Sequence, residues 1–151
     1  MTEPVLKIDR ISFQLGMINC FVEMVACGVK RLALSPPLSP EDYKKIKNAS
    51  EKIVAAFDIK SYLETSLVVT DLQPATFTKD KWSILYYQED SVLEEYLALK
   101  ERKERLENLG GYSADIRKDT SKALGRLLSY PDSKIESKID GTAPSPFMLI
   151  D

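Results

Sequence analysis

The stretch IDRISFQLGMINCFVEMVACGVKRLA, residues 8–33, decides how the chain is read. Its apolar residues return at almost every angle of a helical wheel, so it predicts a long first helix buried over most of its circumference. Ser12, Gly16, Asn19, Cys20, Glu23, Cys27, Lys30 and Arg31 share the one remaining arc, of roughly 120°. From Ile11 onward Gln14 is the only polar residue outside that arc.

Three readings of this stripe compete. It faces solvent, as in any amphipathic helix. Alternatively, it packs against another helix across a homodimer axis, since small residues at 16, 20 and 27 allow close approach. In the third reading it walls a pocket. Asn19, Glu23 and Cys27 step by four, so Glu23 sits one turn from an amide and a thiol, and a half-buried Glu23 would be a candidate general acid or base. Cys27 is a poor nucleophile candidate, because Lys30 and Arg31 oppose Glu23 and the helix C-terminus in setting its thiolate character.

Outward from this helix, Ser35-Pro36-Pro37 is a stop. Ser39-Pro40-Glu41-Asp42 has the N-cap, the first-turn proline and the acids of a second helix. Tyr43, Ile46, Ala49, Ile53, Ala56 and Phe57 form its apolar stripe. Asp58 is a candidate cap for a short helix through Leu63. Residues 66–70 and 81–87 read as a small two-stranded β element, with helix as the alternative. Ser91-Val92-Leu93-Glu94 matches a capping box and opens a third helix, whose seam of Val92, Tyr96, Leu99 and Leu106 is interrupted by Lys103. Gly110-Gly111 supplies a stop. A fourth helix spans about 113–129 and a short fifth 133–139. The expected architecture is mainly α: a single domain of four to five helices over 1–140, followed by an extended, docked tail at 141–151.

The chain of 151 residues has no histidine, which removes every mechanism that needs an imidazole. Two cysteines without histidine cannot complete a four-ligand zinc site, and seven residues of helix hold them about 10 Å apart, too far for a bridge. No metal and no cofactor is expected. A net charge of −2 with interspersed signs argues against nucleic acid as a partner. Residues 11–34 carry too many polar groups for a membrane span, and Met1-Thr2-Glu3-Pro4 lacks the basic start of a secretory signal. Trp82, Tyr86, Tyr87 and Tyr96 lie close in sequence and are a candidate platform for a planar ligand, against the plainer reading as core. No phosphate-loop, dinucleotide or calcium-loop spacing occurs.

Leu124-Gly125-Arg126-Leu127-Leu128-Ser129-Tyr130-Pro131-Asp132-Ser133-Lys134-Ile135-Glu136 resembles the LGRLLGYPECC segment of an uncharacterised group of prokaryotic proteins. Ser129 stands where that pattern has Gly, and Ser133-Lys134 where it has paired cysteines, so no thiol or metal role carries over. The resemblance implies no function. The expectation is a cytosolic, non-catalytic helical protein that forms a homodimer or binds a protein or small-ligand partner. The alternative is a small metal-independent enzyme with Glu23 as acid–base.

Overall fold

The computed structural model describes residues 6–73 and 75–142. The elements are α1 (Arg10–Ala26), β1 (Leu32–Leu34), α2 (Pro40–Ala56), β2 (Lys60–Glu64), the single turn α3 (Ala75–Thr78), β3 (Ser83–Tyr87), α4 (Asp90–Asn108), α5 (Ala114–Leu127) and α6 (Asp132–Ile139). The fold is mainly α around a small antiparallel sheet of order β1-β3-β2. The expected docking of the tail falls on residues 143–151, outside the described residues.

Every residue of β3 is buried, because helices cover both faces of the sheet. Successive side chains of a strand point to opposite faces. Ile84 and Tyr86 therefore join Ile18, Val22 and Val25 of α1, Ala33 of β1 and Ile46 and Val54 of α2. Leu85 and Tyr87 join Leu32, Val92 and Tyr96 of α4, Leu124 and Leu127 of α5, and Ile135 of α6. The sheet thus divides two apolar cores and belongs to both.

Four expectations change. Residues 8–33 are not one helix. Gly28 takes a left-handed turn (φ +77°) and its N–H donates to the Val25 carbonyl, which stops α1 at Ala26 and frees Leu32–Leu34 to pair with β3. The sheet has three strands, and the partner of 83–87 is 60–64 rather than 66–70. Asp58, with φ +53°, turns the chain into β2 instead of capping a helix through Leu63. The capping box also fails: Ser91 lies inside α4, and Glu89 at its N-cap makes no side-chain cap bond. The second helix starts as expected, with Ser39 Oγ accepting from the Asp42 N–H at 3.1 Å. Asp42 is 5% exposed and receives both ends of the Arg10 guanidinium at 3.0 Å, which pins α1 to α2. Burial pushes its carboxyl up, but the Arg10 bonds, the Gln14 amide and the nearby charges outweigh that and hold it below the usual carboxylate range.

The segment 124–136 is the α5–α6 corner. Ser129 adopts φ +66° where the resembling pattern has Gly, and Tyr130 N–H returns to the Gly125 carbonyl. The Ser129 side chain has its own task, since its Oγ accepts from Arg31 N–H at 2.9 Å and ties this corner to β1. A Cβ on Gly125 would meet Ile135 carbons at 2.7 and 2.8 Å, so glycine sets how closely α5 approaches α6.

Two predictions follow from this packing. Gly125→Ala should destabilise the protein by about 1–3 kcal/mol in chemical denaturation, because overpacking against buried Ile135 outweighs the helix-propensity gain. Burial raises the phenols of Tyr86 and Tyr96, whose hydroxyls bond to Ser50 and Glu64. The stability these neutral phenols contribute is complete below an ordinary tyrosine pKa of about 10 and is lost as pH rises above it. Ultraviolet titration should therefore show Tyr86 and Tyr96 ionising only as the fold opens. Simple ionisation of all seven tyrosines in the folded state would contradict this.

Candidate functional site

Ser12, Gly16, Asn19, Cys20, Glu23 and Cys27 all lie exposed along the outer side of α1. Arg31 is beyond the helix end and pairs with Glu95 at 3.0 Å. Ser12 is used locally, donating to Asp9 in the α1 cap. A Cβ on Gly16 would meet nothing within 4 Å. Glu23 is exposed between Asn19 and Cys27 and lines neither of the two cavities described below, so the geometry does not supply the half-buried acid that the pocket reading requires. The fully buried part of α1 is narrower than expected: Gln14, Ile18, Val22 and Val25. Met24 and Val29, placed on the buried side by the wheel, are 39% and 65% exposed. Gln14, the misfit of the apolar side, is buried and donates toward Asp42 at 3.4 Å.

The aromatic cluster divides as well. Tyr86 faces the α1–α2 core, while Tyr87 and Tyr96 face the opposite one. Trp82 stacks edge-on with Tyr43, their centroids 5.5 Å apart. Strand alternation across the sheet therefore precludes a shared platform.

Two charged constellations that the sequence did not assemble stand out, and they differ in how fully they are satisfied. At the end of β2, Glu64 is 3% exposed. Its Oε1 accepts from Ser66 N–H at 2.9 Å and from Lys100 Nζ at 2.9 Å; its Oε2 accepts from Tyr96 Oη at 2.8 Å and Lys100 Nζ at 3.0 Å. Tyr96 Oη accepts in turn from Val68 N–H at 3.2 Å. Both carboxylate oxygens have two donors each, so this group is a strut that holds β2, the following loop and α4 together.

The second constellation has capacity left over. An open cleft of about 590 Å³ lies between the 69–71 loop, α4 and the start of α5, with Ile139 of α6 also lining it. Lys103, Arg117 and Lys118 bring positive charge, and among the described residues Asp71 is the only acid in the lining. Arg117 pairs with Asp71, which Ser121 also holds through its hydroxyl. Ser121 is fully buried and so cannot serve as a nucleophile. Lys103 lies over the Tyr112 ring, 5.7 Å from its centroid, and pairs with Glu107 at 3.2 Å. Among the described residues Lys118 has no ion-pair partner, and the buried hydroxyl of Tyr112 has no hydrogen-bond partner. Ser113 caps α5 by accepting from Ile116 N–H at 3.4 Å, so the positive end of a fourteen-residue helix backs onto the same cleft. Lys103 is the residue that interrupts the apolar seam of the third helix, the one sequence signal pointing here. A smaller cavity of about 20 Å³, bounded by Leu67, Thr70, Leu72 and Leu128, is sized for a single water.

Among the described residues no group of three or more acidic or thiol side chains converges as a metal site, and no helix is long and apolar enough to cross a membrane. With the stripe exposed, both Cys20 and Cys27 should react with an aromatic disulfide reagent in the native protein, at rates linear in reagent; protection of either until denaturation would mean that another surface covers α1. Comparison with known proteins finds no match: no family model, no curated protein and no solved structure is similar to this chain.

Proposed function

We propose that the protein is a non-catalytic, cytosolic binding protein that takes a small organic anion in the cleft beside Tyr112. The observation that carries this reading is the pairing of surplus positive charge with an unsatisfied group. Arg117 is paired with Asp71 and Lys103 with Glu107, which leaves Lys118 as the cation of the cleft without an ion-pair partner among the described residues, and Tyr112 has a buried hydroxyl with no hydrogen-bond partner among them. Buried polar groups are nearly always hydrogen-bonded, so the Tyr112 hydroxyl, enclosed at the wall of the cleft, is a group that a bound molecule would complete on a small shift of that side chain. The volume lies in the range of small-molecule sites. Val69, Ala114, Ile139 and the Tyr112 ring add apolar surface for the body of such a ligand, while the cations and the α5 N-terminus favour a carboxylate or phosphate. Two free, exposed thiols support a reducing compartment.

Calorimetric titration with phenyl phosphate, alongside phenol and inorganic phosphate, tests the reading. Phenyl phosphate should bind most tightly, and its affinity should fall with added salt. Lys118→Glu should abolish that advantage. Tyr112→Phe should leave thermal stability unchanged or raised, because the lost hydroxyl had no partner, yet weaken phenyl phosphate by roughly 5–10-fold, the worth of one hydrogen bond. Equal or absent binding of all three probes, or indifference to both substitutions, would remove the proposal.

A further inference from the structure

α6 ends in a reversal of the chain. Gly141, at φ +72°, donates its N–H to the Lys138 carbonyl at 3.4 Å, and Thr142 N–H reaches the Ser137 carbonyl at 2.9 Å. The chain therefore leaves the helix axis within three residues of Ile139, which lines the cleft. Residues 143–151, outside the described residues, read APSPFMLID. Their composition complements the cleft twice over. Phe147, Met148, Leu149 and Ile150 are four consecutive large apolar side chains, and such a run favours a covered position over water. The cleft offers uncovered apolar surface to match: Val69 in its lining is 42% exposed, and Leu109, three residues before Tyr112, is 76% exposed. Asp151 is the one ionisable side chain of 143–151 and is an acid, while Lys118 is the cation of the cleft without an ion-pair partner among the described residues. Reach is sufficient as well. Pro144 and Pro146 favour an extended path over 143–146, which at about 3.1 Å per residue spans about 12 Å, enough to cross an opening of about 590 Å³.

We infer that residues 147–151 dock in this cleft, the apolar four against Val69, Ala114, Ile139 and the Tyr112 ring, and the Asp151 carboxylate on Lys118. The tail is then the resident occupant that a small anion must displace. Tethering favours it over any free molecule of the same chemistry, because a segment held a few residues from its site is present there at an effective concentration in the millimolar range. Closing a loop this short costs little entropy. The occupant also shares the chemistry proposed for the ligand, an acid carried on an apolar body. That the tail controls ligand entry rests on the function proposed above; that it docks does not.

NMR of the full chain, with calorimetric titration by phenyl phosphate, tests it. Nuclear Overhauser contacts should join the Phe147 ring or the methyls of Leu149 and Ile150 to Val69, Ala114 and Ile139. Absence of every such contact overturns the inference. Leu149→Asp sets an acid among the apolar side chains, and Asp151→Lys sets a cation against Lys118. Each should remove the contacts, leave circular dichroism unchanged and tighten phenyl phosphate by roughly 5-fold, as when an occupant closes about four-fifths of the sites. Should either variant fail to fold, the contacts in the unaltered chain and the other variant decide. Phenyl phosphate bound equally by the unaltered chain and both variants overturns the inference and leaves the ligand reading standing. Contacts in the unaltered chain, with phenyl phosphate bound by none of the three proteins, support the docked tail and remove the ligand reading.

Discussion

Everything in this fold leans on β3. Its five residues are buried between two flanking strands, and Ile84, Leu85, Tyr86 and Tyr87 each take a place in one of two cores. Tyr86 is fully buried and exchanges a hydrogen bond with Ser50 of α2 at 3.0 Å, while Tyr87 faces the opposite layer. Burial of a polar side chain is tolerable only with such a partner. A shift of the strand by one residue would exchange the two faces, setting aliphatic and phenolic side chains against the wrong layers and stranding their hydroxyls. The hydrogen bond to Ser50 thus fixes register as well as adding stability.

The charged groups sort by the same logic of satisfaction. The Glu64 carboxylate is closed by Tyr96, Lys100 and Ser66, and the Asp42 carboxylate is held by Arg10 and Gln14, whose own Oε1 has no partner among the described residues. These clusters tie the end of β2 to α4, and α1 to the start of α2. Removing one partner would leave a charge buried alone, which is far costlier than the pair is stabilising. The cleft around Tyr112 remains open, with an unpartnered hydroxyl and an unpaired Lys118 among the described residues. It lies apart from the exposed polar line on α1 that the sequence makes most conspicuous.

The helices were legible where their ends carry specific chemistry. Ser39-Pro40 begins α2, Gly110 ends the α4 turn at φ +70°, and Ser113 caps α5, all as local rules require. The strands were not. Leu32–Leu34 is buried on both faces and shows no alternation, so it merges with the helical pattern before it. Gly28 marks the break, but on a wheel it looks like one more small residue. Lys60–Glu64 misleads in another way: its buried end is a carboxylate and its exposed middle a tyrosine, the reverse of what hydropathy suggests. The candidate cleft could be glimpsed only through Lys103, a lysine in an apolar seam. Its other members come from the 69–71 loop and the start of α5, which only the folded chain brings together.

The placement of β3 also sets the order in which the molecule can be completed during synthesis. Both of its neighbours precede it in the chain: Leu32 pairs with Tyr87 and Glu64 with Ser83. Until residue 87 has left the ribosome, α1, β1, α2 and β2 have no central strand to gather on, and the apolar sides of α1 and α2 have only each other to cover them. Nonlocal pairing of this kind defers cooperative structure. The nascent N-terminal half therefore carries apolar surface that lacks its final cover, and a ribosomal pause before codon 87 would prolong that exposure.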